Sequence, residues 1–300
     1  MSVIFLFIDG IGLGGEEKVN PLYDSKWKSF EELTDGQGLA YGAQPVMKDG
    51  LYYKPVDANL GVKGLPQSGT GQAALFSGEN ASQIAGRHFG PFPHSRTRYL
   101  LEENSLFHQV IDAGFRPHFI NAYPDIFFER MNRKNRWTCT TLMASSAGQS
   151  LNGLNEIKNG QAVTAEIVQD AWREQLKLDV KKITPETAAD RVIKSLEEND
   201  LVMFEYYLTD KAGHSMNRDM SEKVLRNLDR FITHLIKIKH VNDHLVISSD
   251  HGNLENLSIK THTRNPVPLI VHGRDASKIN KEADSIMDVP RVINELLQQG

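Results

Sequence analysis

Four short stretches of this sequence carry acids or imidazoles where chemistry is commonly done. LVISSDHGNLE, from Leu245 to Glu255, opens as an apolar, β-branched run and ends in Asp250, His251 and Gly252. TDKAGH follows the run DLVMFEYYL and holds Asp210 and His214, and the first apolar run, SVIFLFI, ends at Asp9. His262, in THTRNPVP, precedes another apolar run, Val267 to Val271. Taken singly, each has an ordinary explanation: an aspartate at a strand end is usually a turn or cap residue, and a histidine such as His234, His240 or His272 is usually surface or core. The set reads differently. Three acids each follow a separate buried strand, and open α/β sheets keep their sites outside the carboxyl ends of strands. Oxygen and nitrogen donors without a thiolate suit zinc or manganese, in a two-metal site, better than a soft metal. Two such ions about 3.5–4 Å apart clamp the attacking and leaving oxygens of an in-line displacement at phosphorus.

That displacement needs a nucleophile, and GLPQSGTGQAALFSGEN, from Gly64 to Asn80, offers one. Pro66 and the small residues from Ser68 to Gly71 make a turn, and Gln72 to Phe76 begins a helix. A hydroxyl at a helix N-terminus sits beside unsatisfied N–H groups and the positive end of the dipole, which favours an alkoxide or a phosphate. Ser68 is the leading candidate and Thr70 the second; the plainer alternative is that either hydroxyl caps the helix. Metal coordination would activate a serine without a neighbouring base. The loop GRHFGPFPHSRTR, Gly86 to Arg98, adds Arg87, Arg96 and Arg98, guanidiniums able to clamp a phosphate or simply to form a solvated face.

The elements that must position these residues follow from the apolar pattern. Of 300 residues, 40% are hydrophobic and 24% charged, an ordinary globular balance. The net charge of −4 and the scattered lysines and arginines argue against a nucleic-acid partner. The single cysteine, Cys139, excludes an internal disulfide or thiolate cluster and reads as core packing. The first residues lack the basic flank and small-residue cleavage site of a signal peptide, and no apolar run reaches the roughly 20 residues of a membrane span. A cytoplasmic protein is expected.

In chain order, Ser2 to Ile8 is predicted as a central strand. The glycines of GIGLGG resemble a dinucleotide fingerprint, but Glu16, Glu17 and Pro21 follow instead of an amphipathic helix, so a sharp turn that aims Asp9 is preferred. Trp27 to Leu33 suggests a helix, and Leu51 to Leu60 an edge strand because Pro55 lacks a donor. Leu100 to Ala113 reads as a helix ended by Gly114, and Arg116 to Ala122 as a strand. Residues 123–178 are weakly patterned, with a basic patch (Arg130, Arg133, Lys134, Arg136) and helical periodicity from Val163 to Trp172, and suggest a small insertion or cap. Thr184-Pro185-Glu186 starts a helix running to about Glu198, and Asp200 to Leu208 is a strand. Met220, Val224, Leu228, Phe231 and Leu235 make Ser221 to Lys239 an amphipathic helix, and Val289 to Gln298 closes the chain as a helix. Alternating β and α elements without a linker imply one α/β domain over residues 1–300 with a central, mostly parallel sheet.

VISSDHGNLE, LTDKAGH and HTRNPVP together resemble the alkaline phosphatase superfamily, in the branch of cofactor-independent phosphoglycerate mutase and phosphopentomutase. FIDGIG, QSGTGQ and HTRNPVP occur in that family's order. The resemblance implies a three-layer αβα sandwich and two divalent ions, manganese or zinc, with magnesium an option at one site. It further implies Asp210, His214 and His262 on one ion, Asp9, Asp250 and His251 on the other, and Ser68 as a bridging nucleophile.

The departures are specific. The interval between Ser68 and Asp210 is much shorter than in the mutases, whose large insertion encloses the substrate, and Gln72 stands where they carry a histidine. MNRKNRW, Met131 to Trp137, is similar to a substrate-binding arginine motif of phosphoglycerate mutase, which makes Arg133 a candidate although Asn132 replaces a carboxylate. Sulfatases follow their nucleophile with x-Pro-x-Arg, which Ser68-Gly69-Thr70-Gly71 does not match. The expected activity is therefore hydrolysis of a small-molecule phosphoric ester through a phosphoserine. A mutase-type phosphotransferase is the alternative, and a catalytically silent metal-binding domain a third. Nothing in the sequence fixes the oligomeric state.

Overall fold

The run that closes on Asp9 folds as a strand, Val3–Ile8 (β1), because every side chain in it is apolar and both faces are covered. Alternate residues feed two cores: Val3, Phe5 and Phe7 point into one, and Ile4, Leu6 and Ile8 into the other. The computed structural model describes residues 1–15, 17–24, 27–134, 136–274, 276–279 and 282–299; Glu16 and Asn135 lie outside the described residues. The other strands are Val46–Lys48 (β2), Leu51–Val56 (β3), Pro117–Phe119 (β4), Asn121–Ala122 (β5), Val163–Thr164 (β6), Leu201–Tyr206 (β7), His244–Ser248 (β8) and Val267–His272 (β9). Seven form one sheet in the order β2-β3-β9-β8-β1-β7-β4, and β5 pairs with β6. β8, β1, β7 and β4 are parallel, whereas β9 opposes β8, β3 opposes β9 and β2 opposes β3. The sheet is mixed, and its parallel half carries the three aspartates.

Helices cover both faces, which gives three layers. Ser68–Ser77, Cys139–Ser146 and Val289–Gln298 contribute to the core shared with Phe5 and Phe7, where Phe76 packs edge-on against both rings. Pro185–Ser195 and Arg218–Ile238 contribute to the opposite core. On the long helix Leu225, Leu228, Phe231, Ile232 and Leu235 are fully buried. At about 2 kcal/mol each, their burial outweighs intrinsic helix propensity as the force that holds it. The Thr184 hydroxyl caps the Pro185 helix by accepting from the Thr187 N–H. Cys139 is fully buried. Among the described residues no helix is long and apolar enough to cross a membrane.

Four expectations change. β3 is not an edge strand: β9 pairs along all of it and β2 with Leu51 to Tyr53, and Pro55 lies beyond the end of β2, opposite Pro268 of β9. The segment from Leu100 to Ala113 is two helices, Arg98–Glu102 and Leu106–Asp112, broken before Ser105. Arg116 to Ala122 splits between the main sheet and the small ribbon, with Ile120 between them. Val163 to Trp172 begins as β6 and turns helical only at Asp170–Glu174, because pairing with Asn121 and Ala122 captures Val163 and Thr164. Within residues 123–178, Tyr123, Cys139, Leu142 and Met143 belong to a main core. Ile157, Ala162 and Trp172 form a small cluster with Ala122 and Val180.

Candidate metal centre

Asp9 follows β1 directly, and Asp250 and His251 lie two and three residues past the end of β8; all three are buried. No helix intervenes among the described residues between β1 and Pro21, and Gly10 takes a left-handed φ of 73°, so the GIGLGG run is a turn that aims Asp9 and not the start of a dinucleotide-binding helix. Asp210 and His214 stand on the helix Leu208–Ser215, one turn apart on one face. His262 arrives from the opposite direction. Because β9 runs antiparallel to β8, the residues before it lie at the same sheet edge as the ends of β1, β7 and β8, and a bridge between Gly252 and Thr263 fastens them there.

Ser68 is the first residue of its helix, and the N-cap is Gln67, without a side-chain cap bond. Its hydroxyl instead lies 3.0 Å from His251 Nε2. Thr70 is occupied elsewhere: its hydroxyl accepts from the Phe89 N–H at 3.0 Å and its own N–H donates to the Phe89 carbonyl at 2.8 Å. Those bonds lay the 86–98 loop across the start of the helix, so close that a Cβ on Gly69 would collide with the Phe92 and Phe89 carbonyls.

Three oxygens converge on one nitrogen. His251 Nε2 lies 3.0 Å from Ser68 Oγ, 3.4 Å from Asp9 Oδ1 and 3.5 Å from Asp250 Oδ2. The second group is a triangle: His214 Nε2 is 3.3 Å from Asp210 Oδ2 and 3.1 Å from His262 Nε2, which is 3.5 Å from Asp210 Oδ1. A tetrahedral ion with donors at about 2.1 Å separates those donors by about 3.4 Å, so both spacings fit a divalent ion. Asp9, Asp250 and His251, and likewise Asp210, His251 and His262, offer donor atoms within 4.8 Å of one another. The His251 and His262 rings stack at 3.8 Å and join the groups.

The electrostatics ask for a cation. Asp9 Oδ1 and Asp250 Oδ2 are buried with no hydrogen-bond donor among the described residues. Burial, with Asp250 beside it, holds the Asp9 carboxyl well above its usual range, and burial, with Asp210 nearby, pushes Asp250 up to about 8. Burial likewise lowers His251, to about 3, with His262 adding to the effect, so its imidazole is neutral and able to ligate. Burial would raise Asp210 too, but its contact with His214 outweighs that and brings it down to about 2, while the same contact raises His214.

Of the arginines singled out in the sequence, none enters this cluster. Arg98 pairs with Glu102 at 2.7 Å, and Arg87 and Arg96 are exposed, Arg87 over the Phe89 ring. Arg133 lines a surface cavity with Ile126, Glu129 and Arg130. Arg136, part of the basic patch but not singled out, lies over the Phe92 ring, whose carbonyl crowds Gly69 beside Ser68. Two more residues stand at the site: Gln72, noted in the sequence only as a departure from the mutases, donates to Asp9 Oδ2 at 3.2 Å, and Asn253, unremarked, donates to Asp210 Oδ1 at 2.6 Å. Glu205 at the end of β7 is buried, accepts from Thr140 at 2.8 Å, and is pushed by burial up to about 7. Asn253 stands inside the LVISSDHGNLE stretch and Gln72 inside QSGTGQ, so proximity to motif residues was the available signal.

The Metalloenzyme superfamily profile matches residues 1–298. The chain belongs to that superfamily. Its relatives include the 2,3-bisphosphoglycerate-independent phosphoglycerate mutase of Ehrlichia canis (strain Jake), 31% identical over 129 residues, which are 38% of this chain and 26% of the relative. The match to the Desulforudis audaxviator mutase is 25% over 132 residues, 40% of this chain and 26% of that protein. The chain thus spans about a quarter of the length of the curated relatives it matches. Among solved structures, the PH0037 protein from Pyrococcus horikoshii aligns over 100% of this chain and 97% of its own, at a TM-score of 0.59 and 14% identity. The alkaline phosphatase of the Antarctic bacterium TAB5 aligns over 99% and 97%, at 0.57 and 10%. Leishmania mexicana phosphoglycerate mutase aligns over 99% and 95%, at 0.52 and 10%. The metalloenzyme chain therefore has the alkaline phosphatase-like fold.

Proposed function

We propose that this metalloenzyme is a two-metal phosphoric-ester hydrolase, a phosphatase or phosphodiesterase, acting through a phosphoserine on Ser68. The observation that carries the reading is that Ser68 Oγ, Asp9 Oδ1 and Asp250 Oδ2 all approach the same nitrogen of His251. In a serine–histidine–aspartate relay the carboxylate orients the other ring nitrogen. Here Nδ1 of His251 has no hydrogen-bond partner among the described residues. Three oxygens and a nitrogen facing one point is how ligands surround a cation.

Asp9, Asp250, His251 and Ser68 would hold one ion, and Asp210, His214 and His262 the other, manganese or zinc by their donor types. When bound, such ions supply Lewis-acid stabilisation of the oxygens on phosphorus. Ser68 Oγ gives up its proton to water and forms the new bond to phosphorus as the ester oxygen leaves and takes a proton from water, and its place at a helix N-terminus favours the negative charge gathering there. Gln72 holds Asp9, and Asn253 holds Asp210, in their bearings on the site. Water then cleaves the serine–phosphorus ester and restores the hydroxyl. Hydrolysis is preferred to transfer because a mutase must keep its dephosphorylated intermediate and exclude water, which takes a closing cap. The described residues within 123–178 hold only short helices and one strand of a small ribbon, and Cys139, Leu142 and Met143 among them pack into a main core, which supports no large closing domain. The mutase reading has support of its own in the relatives' names and in Arg136 beside the loop that overlies Ser68. A small phosphate ester as substrate and a cytoplasmic location complete the reading.

The test is release of p-nitrophenol from p-nitrophenyl phosphate by protein loaded with manganese or zinc, beside Ser68→Ala. We expect turnover that needs the metal and falls at least 10³-fold in the variant. No release with two ions bound, or equal rates for the variant, removes the hydrolase reading. Phosphoglycerates isomerised with little free phosphate would establish transfer in its place.

A further inference from the structure

The buried carboxylate of Glu255 touches neither ligand group, yet it meets all three loops that deliver ligands from the sheet edge. It is 2% exposed. Its Oε2 accepts from the Gly12 N–H at 3.0 Å, in the loop after Asp9, and from the Asn253 N–H at 2.7 Å, in the loop after His251. Its Oε1 accepts from the Thr263 hydroxyl and from Asn265 Nδ2 at 3.0 Å, both in the loop of His262. The glycines around it are shaped to it: a Cβ on Gly12 or Gly252 would collide with its Oε1, and one on Gly14 with its Cβ. The GIGLGG run therefore has a second physical reason, which is to let the backbone close around this side chain.

We infer that Glu255 is a positioning residue, whose two carboxylate oxygens fix the Asp9, His251 and His262 loops against one another and so set the separation of the two ligand groups. The four donors it accepts are neutral, and three are rigid because two are backbone N–H groups and one is a threonine hydroxyl held in the turn. Removing the acceptor leaves buried N–H groups unpaired at the base of two ligand loops. Both metal groups should then loosen together, since His251 and His262 stack on each other. Partners that orient ligands in this way typically govern 10- to 100-fold in metal affinity.

The inference rests on the ligand assignment above, and the experiment separates the two. Metal-free wild type, Glu255→Gln and Asp250→Asn are titrated calorimetrically with Mn²⁺, and the Co²⁺ forms are compared by visible absorption, which reports ligand geometry. Glu255→Gln should keep two ions per chain, bind them 10- to 100-fold more weakly and show an altered cobalt spectrum, whereas Asp250→Asn should lose an ion. Wild-type affinity and spectrum in Glu255→Gln, with only a lower melting temperature, overturn the positioning role. Unchanged stoichiometry in Asp250→Asn overturns the ligand assignment instead. Should Glu255→Gln fail to fold, Thr263→Val removes one donor from the other side and should weaken binding, with Thr263→Ser restoring it; equal affinity in all three also overturns the proposal.

Discussion

A carboxyl group sealed under a sheet end must be charged by a partner or kept neutral by a proton, and Glu205 takes the second course. Its neighbours Thr140 and Tyr123 are neutral, and burial holds its pKa near 7 against an ordinary 4.5. The folded protein therefore binds this proton more tightly than the unfolded chain does, so stability contributed below about pH 4.5 is lost as pH rises through 7. Up to about 3 kcal/mol is at stake at pH 8. Glu205→Gln should flatten the fall of the melting temperature of metal-free protein between pH 5 and 8, and an unchanged slope would mean that Glu205 is already ionised. Glu205 went unmarked in the sequence, because DLVMFEYYL read only as a buried strand and its one internal acid had no visible partner; the fold supplies Thr140 and Tyr123. Asp9, Asp250, His251 and the others stood out for the opposite reason: their types and their places after apolar runs are both unusual. Gln72, Asn253 and Glu255 carry side chains common on surfaces, and only folding buries them.

Elements were legible where one apolar face or run dominated, as in β1, β7, β8 and the Arg218–Ile238 helix, whose buried stripe recurs every three or four residues. They were misread where a neighbour decided the outcome, as when β5 captured Val163 and Thr164 from a helical pattern. The junction of the 86–98 loop with the Ser68 helix belongs to this second kind. Nothing in GRHFGPFPHSRTR announces that the Phe89 and Phe92 carbonyls lie against Gly69. Gly69→Ala must push that loop away and break the paired bonds between Phe89 and Thr70. We expect a loss of about 2–3 kcal/mol in denaturant unfolding, and a matching loss of any metal-dependent turnover of p-nitrophenyl phosphate. Gly15→Ala, with no atom of the described residues beyond its chain neighbours within 4 Å of the new methyl, is the control and should change stability by less than about 0.5 kcal/mol. Equal effects at the two glycines would show that the loop does not rest on the helix.

At the scale of the whole molecule, a central sheet in an α/β chain was legible from the alternation of strands and helices, and the three layers from the resemblance to the alkaline phosphatase superfamily. The antiparallel half escaped notice, since nothing in Val267 to His272 signals its direction, and yet that reversal brings His262 to the other candidate ligands. Four chain segments thus meet at one edge with Asp9, Asp210 and Asp250 inside it, and folding is coupled to whatever neutralises them. Without metal, Asp9 and Asp250 are held above their usual range, Asp250 near 8, so the folded form takes up protons that the unfolded chain releases above about pH 4. Metal-free stability must fall as pH rises from there towards 8. A divalent ion competes with those protons, so its apparent affinity rises over the same window, and each tenfold gain adds about 1.4 kcal/mol to the folded state at saturation. The gap in melting temperature between Mn²⁺-loaded and EDTA-treated protein should therefore widen from pH 6 to pH 8, and manganese binding at pH 7 should release protons, measurable by calorimetry in two buffers of different ionisation enthalpy. A gap that stays constant, with no proton release, would mean the carboxylates are already ionised in the metal-free fold, and the pull of the site for cations would then come from charge alone and not from displaced protons.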